Sequence, residues 1–106
     1  MKLFTKSVEN AIAKFPLYSQ DGKEMNAKVI ARFFLGNATW YILEGNGDEL
    51  YGLTDVGYGF EYGYMSRKQL ETMKDGWGLG VERDITVDPL KMTLGECMTL
   101  NGERMM

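Results

Sequence analysis

Histidine is absent from the 106 residues. That excludes Ser-His-Asp and Cys-His catalysis, histidine-ligated zinc or iron, and any general base tuned near neutrality by an imidazole. Cysteine occurs once, at Cys97, so no internal disulfide can form and stability must come from packing, as in a reducing compartment. Glu96 beside it raises the thiol pKa by like-charge repulsion and no cation lies within two residues, so Cys97 reads as a small apolar side chain. No run approaches the roughly 20 apolar residues that span a bilayer, and Met1 to Lys6 lacks the apolar region of a signal peptide. A cytoplasmic location with no membrane partner is expected. Only two prolines accompany a 12% aromatic content, which favours an ordered sheet over a disordered segment.

Positive charge is missing from one stretch. Between Phe33 and Ser66 there is no Lys or Arg, while Glu44, Asp48, Glu49, Asp55 and Glu61 all lie there. Residues 1–32 hold six basic and three acidic side chains, so the charge is segregated. Neutralising phosphates supplies most non-specific nucleic-acid affinity, so direct binding of DNA or RNA through residues 33–66 is not expected. A basic protein partner suits this region better; the ordinary alternative is a solvated sheet edge with scattered carboxylates.

The length suits one domain, placed at residues 1–100 with a fraying tail at 101–106. Val8, Ala11, Ile12 and Phe15 recur at helical spacing, with Thr5 or Ser7 as cap and Pro16 as stop. After an Asp21-Gly22 turn the period becomes two. Strands are expected over 27–35, 38–44 and 50–54 and in the aromatic segment, joined by turns at Gly36-Asn37, Gly45 to Asp48 and Asp55 to Gly57. Connections this short make an antiparallel meander, since parallel pairing would need long crossovers. Ser66 and Gln69 form a capping box flanked by Met65 and Leu70 as a hydrophobic staple, starting a second helix that should end near Lys74. Val81 to Val87 alternates as a C-terminal strand, and the pattern fades after Leu94. The fold class is therefore α+β: a four-strand antiparallel meander with flanking helices and a C-terminal strand.

From Val56 to Met65, Tyr58, Phe60, Tyr62 and Tyr64 alternate with Gly57, Gly59, Glu61 and Gly63, putting four aromatics on one face of a strand. Such a ladder is either a core wall, with tyrosine hydroxyls turned outward, or an exposed contact face. On the second reading the protein-binding candidates are Tyr41, Glu44, Asp48, Glu49, Tyr51, Asp55, Tyr58, Glu61 and Tyr62. Base stacking is weakened by the missing cations.

Met1-Lys2-Leu3-Phe4-Thr5, Pro16-Leu17-Tyr18-Ser19, Trp40-Tyr41, the Gly63-Tyr64 to Leu70 junction, and Val81-Glu82-Arg83-Asp84 before Pro89 together resemble domain-of-unknown-function family 2958 over about residues 1–94. The resemblance implies a small accessory protein of bacterial plasmids, conjugative elements or phages, and carries no catalytic residues or cofactor. Modulation of a host defence or DNA-processing protein would fit that habitat.

Catalysis has one foothold. Glu82 and Asp84 are two apart on a strand and share a face, where they could hold Mg²⁺ or work as an acid and base pair in a nucleic-acid-processing enzyme. A two-metal site needs further carboxylates that no spacing delivers. The simpler role is protection of a sheet edge. Gly76-Trp77-Gly78-Leu79-Gly80 lacks the Lys-Ser/Thr of a phosphate loop and follows a helix, so it is a connector. No cofactor is expected.

Overall fold

The fold comes from a computed structural model that describes residues 1–105. Its first helix, α1 (Lys6–Lys14), starts where the Thr5 hydroxyl accepts the Val8 amide at 3.3 Å and stops before Pro16, whose ring cannot continue it. One face buries Val8, Ala11 and Ile12. Four strands follow in meander order: β1 (Ala31–Leu35), β2 (Ala38–Asn46), β3 (Glu49–Asp55) and β4 (Glu61–Ser66). Helix α2 (Arg67–Thr72), a short β5 (Glu82–Arg83) and helix α3 (Leu94–Leu100) complete the chain. All pairings are antiparallel, in the spatial order β4-β3-β2-β1-β5. The class is α+β, as the alternation and short turns dictate, with five strands in one sheet. No helix among the described residues is long and apolar enough to cross a membrane.

Both faces of the sheet are used. On one, Phe33, Trp40, Ile42 and Leu50 pack against Leu3, Phe4, the buried face of α1 and Leu70 of α2. On the other, Tyr41, Leu43 and Leu53 meet Val87 and Leu94, Cys97 and Met98 of α3. Each fully buried Leu, Ile or Phe stabilises the fold by roughly 1.5–3 kcal/mol. The strands approach most closely at Gly52, where an added Cβ would lie 1.8 Å from the Tyr41 carbonyl oxygen; only glycine fits.

Several boundaries differ from the sequence expectation, each for a local reason. The first strand begins at Ala31 rather than residue 27, because Lys28 bridges to Thr93 outside the sheet. The strand expected over 81–87 is two residues long. The Asp84 carboxylate accepts the Thr86 amide at 3.0 Å and hydroxyl at 2.6 Å, turning the chain. The aromatic strand begins only at Glu61. Before it, Gly57 and Gly59 sit at φ 116° and 100°, with both amides donating to Asp55 Oδ1 at 2.7 and 3.1 Å. Positive φ is what a glycine-rich loop can adopt and a pleated strand cannot.

Helix α2 ends at Thr72, two residues before Lys74. Ser66 caps it through the Gln69 amide at 3.2 Å, but Asp48, and not the Gln69 side chain, completes the cap. Asp48 Oδ1 accepts the Lys68 amide at 2.8 Å and Oδ2 accepts the Ser66 hydroxyl at 2.6 Å. Helix α3 was not expected at all, although Thr93 and Glu96 form a reciprocal capping box and Leu94, Cys97 and Met98 share its buried face. The tail expected to fray is tied down through Glu103, which accepts from Arg32 Nη2 at 3.2 Å and from the Tyr41 hydroxyl. Met106 lies outside the described residues.

Candidate protein-interaction site

The helix-free half of the second sheet face carries the site. Antiparallel register places Tyr51 opposite Tyr64 and Leu53 opposite Tyr62, so Tyr51, Tyr62 and Tyr64 share the face that holds Tyr41 and Leu43 further along the sheet. On that face Tyr41, Leu43 and Leu53 are buried in the cluster that α3 completes. Toward the β4 edge the cover ends: Tyr51 is half-buried, Tyr62 exposed and Tyr64 52% exposed. The rings form one cluster, with Tyr51 and Tyr62 nearly parallel at 6.2 Å between centroids and Tyr51 and Tyr64 tilted at 5.0 Å.

Tyr18 joins from the loop after α1. Its backbone is left-handed at φ 75°, an uncommon conformation for a residue with a Cβ. The neighbouring Tyr18 is the main influence that pushes the Tyr64 pKa up to about 12, followed by desolvation and the charge of Glu49.

The loop is held by a buried carboxylate. In a regular strand Glu44 would follow Ile42 onto the face packed by α1. A register shift between Ile42 and Glu44 pairs Glu44 with Tyr51 instead, and this bulge turns it to the tyrosine face. There it is only 2% exposed. Its Oε1 accepts the Tyr18 amide at 2.7 Å and Oε2 the Gln20 amide at 2.8 Å. Gln20 is satisfied too, donating from Nε2 to the carbonyls of Lys28 and Leu43 and accepting the Lys28 amide. Removing a carboxylate from water costs several kcal/mol unless hydrogen bonds or a cation replace the hydration. Glu44 has two amides but no ion pair among the described residues.

Desolvation raises the pKa of both Tyr51 and Tyr62; the charges of Glu44 and Asp21 add to the effect at Tyr51, as does that of Glu24 at Tyr62. The face is thus aromatic and electronegative.

The sequence candidates divide accordingly. Tyr51, Tyr62 and Glu49 are on or beside the face. Tyr58 is 92% exposed on the β3–β4 loop, and Glu61 is exposed but belongs to the opposite side, since it alternates with Tyr62. Tyr41 and Glu44 are corrected as members of an open surface: Tyr41 is buried against Phe60, Arg32 and Glu103 in the cluster that α3 completes, and the bulge turns Glu44 inward to the floor of a cavity. Asp48 and Asp55 are exposed or half-buried acids engaged in capping α2 and closing the β3–β4 loop. The ladder itself is split, since Phe60 turns into the core against Tyr41 at 5.9 Å. Sequence reasoning missed Tyr18, Asp21 and Glu24. The visible signal was a Pro-bounded acidic loop, but only tertiary structure brings it beside β3.

Glu82 and Asp84 are not brought together as a pair. Asp84 pairs with Arg32 Nη1 at 3.1 Å. Burial would raise its pKa, but hydrogen bonds from Thr86 and the charge of Arg32 more than offset that and hold it below the usual carboxylate range. Glu82 instead lines a separate cavity with Met1, Lys74 and Val81, to which Asp84 does not contribute. No three acidic or cysteine side chains converge on a metal-sized position among the described residues. Cys97 is buried, and burial pushes its thiol up to about 11, far from a nucleophile's range.

No curated protein and no solved structure matches the chain. The family model described as "Protein of unknown function (DUF2958)" matches residues 3–99, spanning both helices that pack on the first face, the whole sheet and most of α3. The chain therefore belongs to the DUF2958 family.

Proposed function

We propose that this chain is a non-catalytic protein-binding accessory of a mobile genetic element, docking a basic surface of a host defence or DNA-processing protein on the tyrosine face of β3 and β4. One observation carries the reading: Tyr51, Tyr62 and Tyr64 are presented together on a hydrogen-bonded sheet with the carboxylates of Glu49, Asp21 and Glu24 nearby, while Tyr41, Leu43 and Leu53 of the same face are buried with α3. Tyrosine is enriched among residues that dominate binding energy, because it offers large contact area with few rotors to freeze. Carboxylates at the rim speed encounter with a basic partner. The mobile-element setting is the expectation drawn from the family resemblance.

The test is affinity capture from the natural host with the intact chain and with a Tyr51→Ser, Tyr64→Ser variant whose unfolding curve is first checked. A specific partner retained by the intact chain and lost by the variant supports the reading. Equal capture by both refutes it.

A further inference from the structure

Beside the tyrosines lies a cavity of about 140 Å³ between the 20–27 loop and β2–β3. Its floor is buried and includes Gln20, Leu43 and Glu44; its rim is exposed and includes Asp21, Glu24 and Tyr62. No Lys or Arg lines it. A buried carboxylate with no cation, two exposed ones and two tyrosine rings therefore surround one concavity.

We infer that this cavity receives the guanidinium of an arginine from the basic partner, seated against Tyr51 and Tyr62 and neutralising Glu44 and its acidic rim. The inference rests on the docking face proposed above and names its anchor.

Two features point to this occupant. Each Glu44 oxygen accepts one amide and keeps acceptor capacity, since a carboxylate offers about four lone-pair sites. A planar guanidinium suits both carboxylate oxygens and aromatic faces, whereas an ammonium is a compact, strongly hydrated charge.

The experiment is an amide-resolved NMR titration of the intact chain with acetyl-Gly-Arg-Gly-amide, its citrulline counterpart, and Ca²⁺. Citrulline keeps the shape of arginine and removes its charge. The arginine peptide is expected to give saturable shifts centred on Gln20, Asp21, Gly22 and Tyr51, at least several-fold tighter than the citrulline peptide. Glu24→Gln and Tyr62→Ala, both at exposed positions, should each weaken it roughly three- to tenfold, the range expected for one charge or one cation–π contact. Glu44→Gln is the more direct variant but also loosens the loop, so the rim variants decide. Equal shifts from the two peptides, arginine shifts mapping elsewhere, rim variants without effect, or saturation by Ca²⁺ without a response to arginine would overturn the inference. It fails alone if a captured partner still needs Tyr51 and Tyr64 but tolerates Glu24→Gln. The docking reading fails alone if arginine occupies the cavity and capture is indifferent to the tyrosines.

Discussion

Replacing Glu44 tests whether one buried carboxylate organises the loop that builds the site. Its two amide bonds, from Tyr18 at 2.7 Å and Gln20 at 2.8 Å, are short and charge-assisted, a class worth about 1.5–3 kcal/mol each. In Glu44→Gln one oxygen still accepts, while the new NH₂ faces a backbone amide, so one bond is lost and two donors oppose each other. The expected cost is about 2–4 kcal/mol, combining the lost bond with the desolvation of an unpaired buried donor. Glu44→Ala loses both bonds and should cost about 3–5 kcal/mol, a large share of the roughly 5–15 kcal/mol that holds a domain together. The assay is urea unfolding of the three proteins, paired with hydrogen exchange read at the Tyr18 and Gln20 amides. Exchange at these two amides should accelerate well beyond any change in the sheet. A loss below about 0.5 kcal/mol in Glu44→Gln, the size of an ordinary surface substitution, or unchanged protection at both amides, would refute the assignment.

Ser66→Ala should lower stability by about 1 kcal/mol, as lost N-caps do, measured by chemical denaturation; an unchanged midpoint would show that Asp48 caps α2 alone. For Asp84 the depressed pKa sets the sign: ionised, it contributes stability that is fully present above the unfolded value near 3.9 and is lost as pH falls through the lower folded value. Asp84→Asn should therefore destabilise the protein at pH 7 and flatten the decline of stability below about pH 4, as read by thermal unfolding across pH. Glu103→Gln, which weakens the tie to Arg32 and Tyr41, should expose the end of α3 to exchange while leaving β3 and β4 protected. Tyr58→Ala should leave the unfolding curve within about 0.5 kcal/mol of the parent, because its ring is 92% exposed; a loss of several kcal/mol would return this aromatic to the core.

The legible parts of the fold were those set by neighbours in sequence. Thr5, Pro16, Gly36-Asn37 and Ser66 act within a few residues, through hydroxyl caps, a missing N–H and positive φ, and all mark element ends that the structure keeps. What could not be read depends on distant partners. Asp48 was legible as an acid in a turn, but its role as a cap follows only from folding β3 and β4 back to back, which brings it to the start of α2. The α3 helix is different in kind. Thr93-x-x-Glu96 with Leu94, Cys97 and Met98 carried a full local signal, which the fading of the period-two pattern at Leu94 obscured.

The aromatic segment shows why alternation alone does not locate a surface. A period of two assigns side chains to faces only where the backbone is pleated and paired. At Gly57 and Gly59 the backbone has positive φ, so Tyr58 leaves the strand pattern and Phe60 swings under Tyr41. From Glu61 onward the pattern holds, and Tyr62 and Tyr64 share a face as expected. Whether that face is core or surface depends on what covers it: Leu53 is buried with the α3 side chains, while Tyr62 and Tyr64 are exposed. Distant partners also govern Glu44: alternation sends it toward the face packed by α1. The bulge instead delivers it to the amides of Tyr18 and Gln20. An acid that looked like part of a charged surface thus becomes the buried support of a loop, and the negative character of the tyrosine face comes in good part from Asp21 and Glu24, which that support holds in place.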